Sequence, residues 1–101
     1  MKAKFRTYEL AKEFYQQCSR IKLKGAMKSQ FERASLSIVL NIAEGAGKPS
    51  RNDRARFYFI AYGSLRETIT LLDLSDNHNL LISADILAAH LWRLSNNPGG
   101  T

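Results

Sequence analysis

A single cysteine, Cys18, excludes an internal disulfide and cannot furnish a metal site alone. At a helical position among apolar neighbours it reads as a small buried hydrophobe rather than a nucleophile. Two prolines and six glycines in 101 residues, with a hydrophobic content of 45%, exclude a disordered chain and fit one folded domain over residues 1–101. No apolar run approaches the ~20 residues that a membrane-spanning helix needs. The opening MKAKFRTYEL carries charges but no apolar stretch and no small-residue cleavage site. These absences lead to the expectation of a cytoplasmic protein with no membrane partner.

Catalytic signatures are also scarce. His78 and His90 stand far apart and belong to no HExxH, Cys/His or Ser/His arrangement. No Glu precedes either His at the E-x-x-H spacing used by di-iron bundles. The segment Gly45-Ala46-Gly47-Lys48-Pro49-Ser50 lacks the spacing of a phosphate loop, and its proline removes an amide that would cradle phosphate. Glu44 and Glu67 are set in strongly patterned segments, but an acid–base pair there would have no nucleophile or metal to serve. The expectation is a protein that is not an enzyme, with no metal and no cofactor.

What the chain does have is positive charge and helical periodicity. Fifteen Lys and Arg against nine Asp and Glu give a net charge of +6, which admits nucleic acid, an anionic surface or an acidic protein as partner. The stretch from Met27 to Gly47 is its organising element. At about 100° per residue, Met27, Phe31, Ala34, Ile38, Ile42 and Gly45 fall on one side, with Leu36, Leu40 and Ala43 opposite. A helix apolar on two opposed faces needs cover on both. Its one polar stripe is Ser37, Asn41 and Glu44.

Three further helices follow from the same period. Thr7 serves as N-cap to a helix that carries Tyr8, Ala11, Phe14 or Tyr15, Cys18 and Ile21, and Gly25 closes it in a left-handed conformation. Ser50 and Asp53 open the third with a capping box. Its arc is formed by Phe57, Ile60, Ala61, Ser64, Leu71 and Leu72, with Tyr58, Tyr62, Leu65 and Ile69 on one flank. Gly63 and Ser64 predict a close backbone approach there. Ser83 caps the fourth, which carries Ile86, Leu87, Leu91 and Leu94. With helices at roughly 7–23, 26–46, 51–76 and 84–95, short connections and no strand pattern, the fold class is all-α, an up-down-up-down antiparallel four-helix bundle.

The segment Arg33-Ala34-Ser35-Leu36-Ser37-Ile38-Val39-Leu40-Asn41-Ile42-Ala43-Glu44-Gly45, followed by Arg56-Phe57 and Ile60-Ala61-Tyr62-Gly63-Ser64-Leu65-Arg66-Glu67, resembles the four-helix-bundle proteins encoded within intervening sequences of 23S ribosomal RNA. Related in fold are the accessory variability proteins of diversity-generating retroelements. The resemblance implies a basic homopentamer that binds RNA or DNA, with a reverse transcriptase as a further partner. It also implies structural roles for Arg33, Ser37, Asn41, Glu44, Gly45, Gly63, Ser64 and Glu67. The chain departs from the pattern at its C-terminus, which ends in NNPGGT.

Two functional classes follow: a nucleic-acid-binding oligomer, and an assembly or protein-interaction module whose charge serves solubility. In the first, Lys2, Lys4, Arg6, Lys48, Arg51 and Arg54 gather at one end of the bundle as the nucleic-acid surface, offset by Asp53. At the other end, Arg20, Lys22, Lys24 and Lys28 lie near Asp73, Asp76 and Asp85, which cancel their field. Leu36, Leu40 and Phe59 form the contact between subunits. The aromatics, Phe59 and Trp92 included, fall at core spacing rather than as base-stacking platforms. Ser37, Asn41 and Glu44 are expected to find partners on a neighbouring helix, with Glu67 and an arginine as the companions of the acid.

Overall fold

Phe5, immediately before the first helix, is buried against Tyr58 with ring centroids 6.4 Å apart. The computed structural model describes residues 5–99, so Lys2 and Lys4 lie outside the described residues. Helix α1 (Arg6–Cys18) has Phe5, not Thr7, at its N-cap, and Thr7 is buried within the first turn. Ala11, Phe14 and Cys18 are buried along the face the periodicity indicates.

The helix stops at Cys18 rather than at residue 23. Ser19 Oγ donates to Gln16 O at 2.6 Å and the Ile21 N–H to Cys18 O at 3.0 Å, after which residues 21–24 are not helical. The reason lies in Ser19-Arg20-Ile21-Lys22-Leu23-Lys24, which alternates. Helical geometry would place Ile21 and Leu23 on nearly opposite sides, whereas an extended chain puts both on one side. Both are half-buried against the core, and Arg20, Lys22 and Lys24 are exposed. Gly25 does adopt a positive φ of 59°, but it opens the second helix rather than closing the first.

Helix α2 (Gly25–Ala46) buries Phe31, Ala34, Ser35, Ile38, Ile42 and Gly45. Leu36 and Leu40, on the opposite side, are 41% and 56% exposed. One apolar face is therefore covered and the other is not, so α2 is one of the walls of the bundle rather than its centre. Ser35 is buried because its hydroxyl donates to Phe31 O at 2.8 Å, which satisfies it inside the helix.

Helix α3 (Arg51–Leu74) starts as the capping pattern indicates, with Ser50 Oγ accepting the Asp53 N–H at 3.1 Å. Its buried line is Tyr58, Ala61, Leu65, Thr68 and Leu72, which takes Ala61 and Leu72 from the sequence-derived arc and Tyr58 and Leu65 from its flank; Ile60, expected within the arc, is exposed. The helix ends in a Schellman motif. Asp76 takes φ 59°, its N–H bonds Asp73 O at 3.1 Å, and the Asn77 N–H bonds Leu72 O at 2.9 Å.

A 3₁₀ turn (His78–Leu80) leads directly into α4 (Leu81–Asn96), which begins before Ser83 because buried Leu80 takes the cap position. Ala84, Leu87, Leu91 and Leu94 face inward, while Ile86, Phe59 and Trp92 do not: all three are exposed. Each helix packs on its chain neighbour, and α1 packs on α4, closing an antiparallel four-helix bundle of 39 × 22 × 21 Å. The long dimension matches the ~36 Å expected of the 24-residue α3 at 1.5 Å per residue. The core that joins them centres on Ile38, Ile42, Tyr58, Leu65, Leu72, Leu87 and Leu91.

Candidate nucleic-acid interface

The patterned residues of α2 and α3 meet along one seam. Ser37 Oγ and Ser64 Oγ are 2.8 Å apart, and Asn41 Nδ2 donates to Ser37 O at 2.9 Å and to Ser37 Oγ at 3.0 Å. At the next level Arg33 pairs with Glu67 and also donates to Gln30 Oε1 at 2.7 Å. This ladder fixes the register of the two helices. Gly45 has a separate reason: a Cβ there would stand 2.9 Å from Tyr58 Cε1 and 3.0 Å from Phe57 Cβ.

Two expectations for the seam are corrected. Glu44 is exposed and pairs with Lys48 at 3.1 Å on its own side of the bundle, so it is neither buried nor joined to Glu67 or an arginine. Wheel geometry explains this, because Glu44 lies about 60° further from the inner face than Asn41. Gly63 makes no close backbone approach among the described residues, since nothing there lies within 4 Å of a Cβ placed on it.

The up-down topology brings the start of α1, the α2–α3 connection and the end of α4 to one end of the bundle. The cations there differ in what they already hold. Arg54 is tied down: Nε donates to Pro98 O at 3.1 Å, and Nη1 donates to Lys48 O at 3.1 Å and Pro49 O at 2.9 Å. It straps the C-terminal segment to the α2–α3 connection and is a structural residue rather than a free phosphate contact. Lys48 is held between Glu44 and the Phe57 ring, 5.2 Å from its centroid. Arg56 lies over the same ring at 4.5 Å.

Arg6 and Arg51 are exposed, and no ion pair among the described residues includes them. Arg93 joins them from α4, a residue that the sequence reading missed. His90 lies near two of them: burial, then the charges of Arg93 and Arg6, hold its imidazole below the ordinary value. Up-down topology alone was the signal that could have found Arg93, since it puts the last turn of α4 beside the first turn of α1.

At the opposite end the expected cancellation does not occur at ion-pair distance. Asp73 and Asp76 face His78 Nε2 at 3.2 and 3.9 Å, while Arg20, Lys22, Lys24 and Lys28 are exposed and form no ion pair among the described residues. Beside them lies a cleft of about 280 Å³ between α1, the α1–α2 connection and α2.

The architecture is an all-α bundle with a polar seam between α2 and α3 and unneutralised cations at both ends. No described helix is long and apolar enough to cross a membrane. The chain belongs to the 23S rRNA-intervening sequence protein family, whose model matches residues 1–91. No curated protein matches it.

Proposed function

We propose that this protein is a non-enzymatic nucleic-acid-binding protein that works as a homo-oligomer, a pentamer by family resemblance. The observation that carries the reading is the group Arg6, Arg51 and Arg93 at one end, exposed and without ion pairs among the described residues, in a chain of net charge +6. Repeated around a ring, such an end follows a phosphate backbone without reading bases. The uncovered face of Leu36 and Leu40 on α2, with Phe59 and Ile60 on α3, supports subunit contact, and open space at Gly63 admits a close neighbour. The family's link to ribosomal RNA insertions agrees with an RNA partner; a reverse transcriptase enters the proposal only through the resemblance to retroelement accessory proteins.

Retention on immobilised RNA and DNA through a salt series tests this. Electrostatic binding weakens steeply with salt, and absence of retention at low salt contradicts it. A second reading, a protein-interaction module, is favoured by α4, whose outward Ile82 and Ile86 are exposed opposite its core-facing leucines. Light scattering that shows a monomer at micromolar concentration removes the oligomer from either reading.

A further inference from the structure

The end of the bundle away from Arg6 and Arg51 carries a second arrangement. Along Ser19-Arg20-Ile21-Lys22-Leu23-Lys24 the odd residues line the cleft and the even ones are exposed cations. Lys28 brings a fourth cation from the first turns of α2. The other walls include Tyr15 from α1 and, from α2, Lys28, Glu32 and the buried Phe31. At about 280 Å³ the cleft falls just below the ~300–1,000 Å³ typical of drug-sized ligand pockets. It suits one planar ring system rather than an extended cofactor.

We infer that this cleft receives one unpaired base of a single-stranded nucleic acid while Arg20, Lys22 and Lys24 hold the flanking phosphates. The chemistry is complementary at each point. Tyr15, half-buried at the mouth, offers aromatic surface to a base, while Phe31 lies buried in the core behind it. Glu32 forms no ion pair among the described residues, so its carboxylate is an acceptor for an exocyclic amine. Lys28 lines the same cleft, so its charge offsets that of Glu32 there, and the uncompensated cations are Arg20, Lys22 and Lys24 outside it. A base inside a duplex is stacked and paired and cannot enter, so the site distinguishes single strands from duplexes, which the cationic rim at the other end does not. The inference goes beyond charge-driven binding and is separable from it.

The test compares binding of a short single strand, its duplex and the same strand with abasic sites, as RNA and as DNA, by fluorescence anisotropy. Single strand is expected to bind at least tenfold tighter than duplex or abasic strand. Tyr15→Ala should cost the single strand roughly tenfold and leave duplex binding unchanged. Lys22→Glu with Lys24→Glu should weaken the single strand most. Equal affinity for single strand, duplex and abasic strand overturns the inference while leaving the charge-driven reading intact; no binding to any of them overturns both. A strand carrying 5-iodouracil, photo-crosslinked to the unaltered protein, gives an answer independent of variant folding. An adduct on Tyr15 supports the site, and an adduct elsewhere only contradicts it.

Discussion

Gly45 of α2 lies against the ring of Tyr58 of α3 so closely that any added methyl group would stand 2.9 Å from Tyr58 Cε1. This glycine is thus a packing requirement where α2 meets α3. Gly45→Ala gains about 1 kcal/mol of helix propensity but forces a shift of a fully buried ring, and overpacking of this kind costs ~1–3 kcal/mol. The expected net outcome is loss of up to ~2 kcal/mol, read as a lowered urea midpoint. A rise in the midpoint would contradict the account.

Tyr58→Phe should go the other way. The Tyr58 hydroxyl is buried without a hydrogen-bond partner among the described residues, and an unsatisfied buried group costs ~1–3 kcal/mol. Its removal is expected to leave stability unchanged or higher by denaturant unfolding. A loss above ~1 kcal/mol would mean the hydroxyl has a partner in solution, such as a buried water.

Gly63 offers a cleaner separation of fold from assembly. With open space around it, Gly63→Ala should stabilise the monomeric fold by up to ~1 kcal/mol. If the exposed α2–α3 face is the subunit contact, a larger residue, as in Gly63→Leu, reduces oligomer mass by light scattering while circular dichroism stays helical. Unchanged mass with both variants moves the contact away from this face.

Cys18 predicts the alkaline limit. Burial pushes its thiol from 9.0 up to about 12, and Tyr58 is raised by the same cause despite the opposing charge of Arg54. Above pH 9 the unfolded chain releases the thiol proton while the folded one keeps it. Stability should therefore fall as pH rises from about 9 towards 12, with a slope approaching ~1.4 kcal/mol per pH unit from this group. Cys18→Ala removes that part of the slope in unfolding measured at a series of pH values. In the same way, a thiol reagent at pH 8 should label native protein far more slowly than unfolded protein.

Much of this was legible in the sequence, and the misses have physical causes. Phe31, Ile38 and Ile42 recur at helical spacing and are buried as that spacing requires. Ile60 was misplaced because the apolar arc of α3 is wider than its buried line, and only packing selects the line. The end of α1 was missed because Ile21 and Leu23 prolong a run of helix formers, although their period of two marks an extended chain. Arg54 could not be read from residue types, since its partners are backbone carbonyls of Lys48, Pro49 and Pro98. Glu44 looked buried by its place in the motif, yet it turns outward to Lys48.

Arg54 and Arg51 separate structure from binding. Arg54→Ala removes the three carbonyl contacts of a half-buried guanidinium, and hydrogen bonds from charged groups are worth ~1.5–3 kcal/mol. It should lower the unfolding midpoint measurably. Arg51→Glu, on an exposed side chain, should leave that midpoint within ~0.5 kcal/mol.

The most direct measurement is the salt dependence of RNA binding by the wild-type chain and by the combined Arg6→Glu, Arg51→Glu and Arg93→Glu variant. The account predicts a linear fall of log affinity with log salt for the wild type, and a weaker affinity with a shallower slope for the folded variant, similar across RNA sequences. Salt-independent binding, no binding at low salt, or an unchanged slope in the folded variant would contradict it.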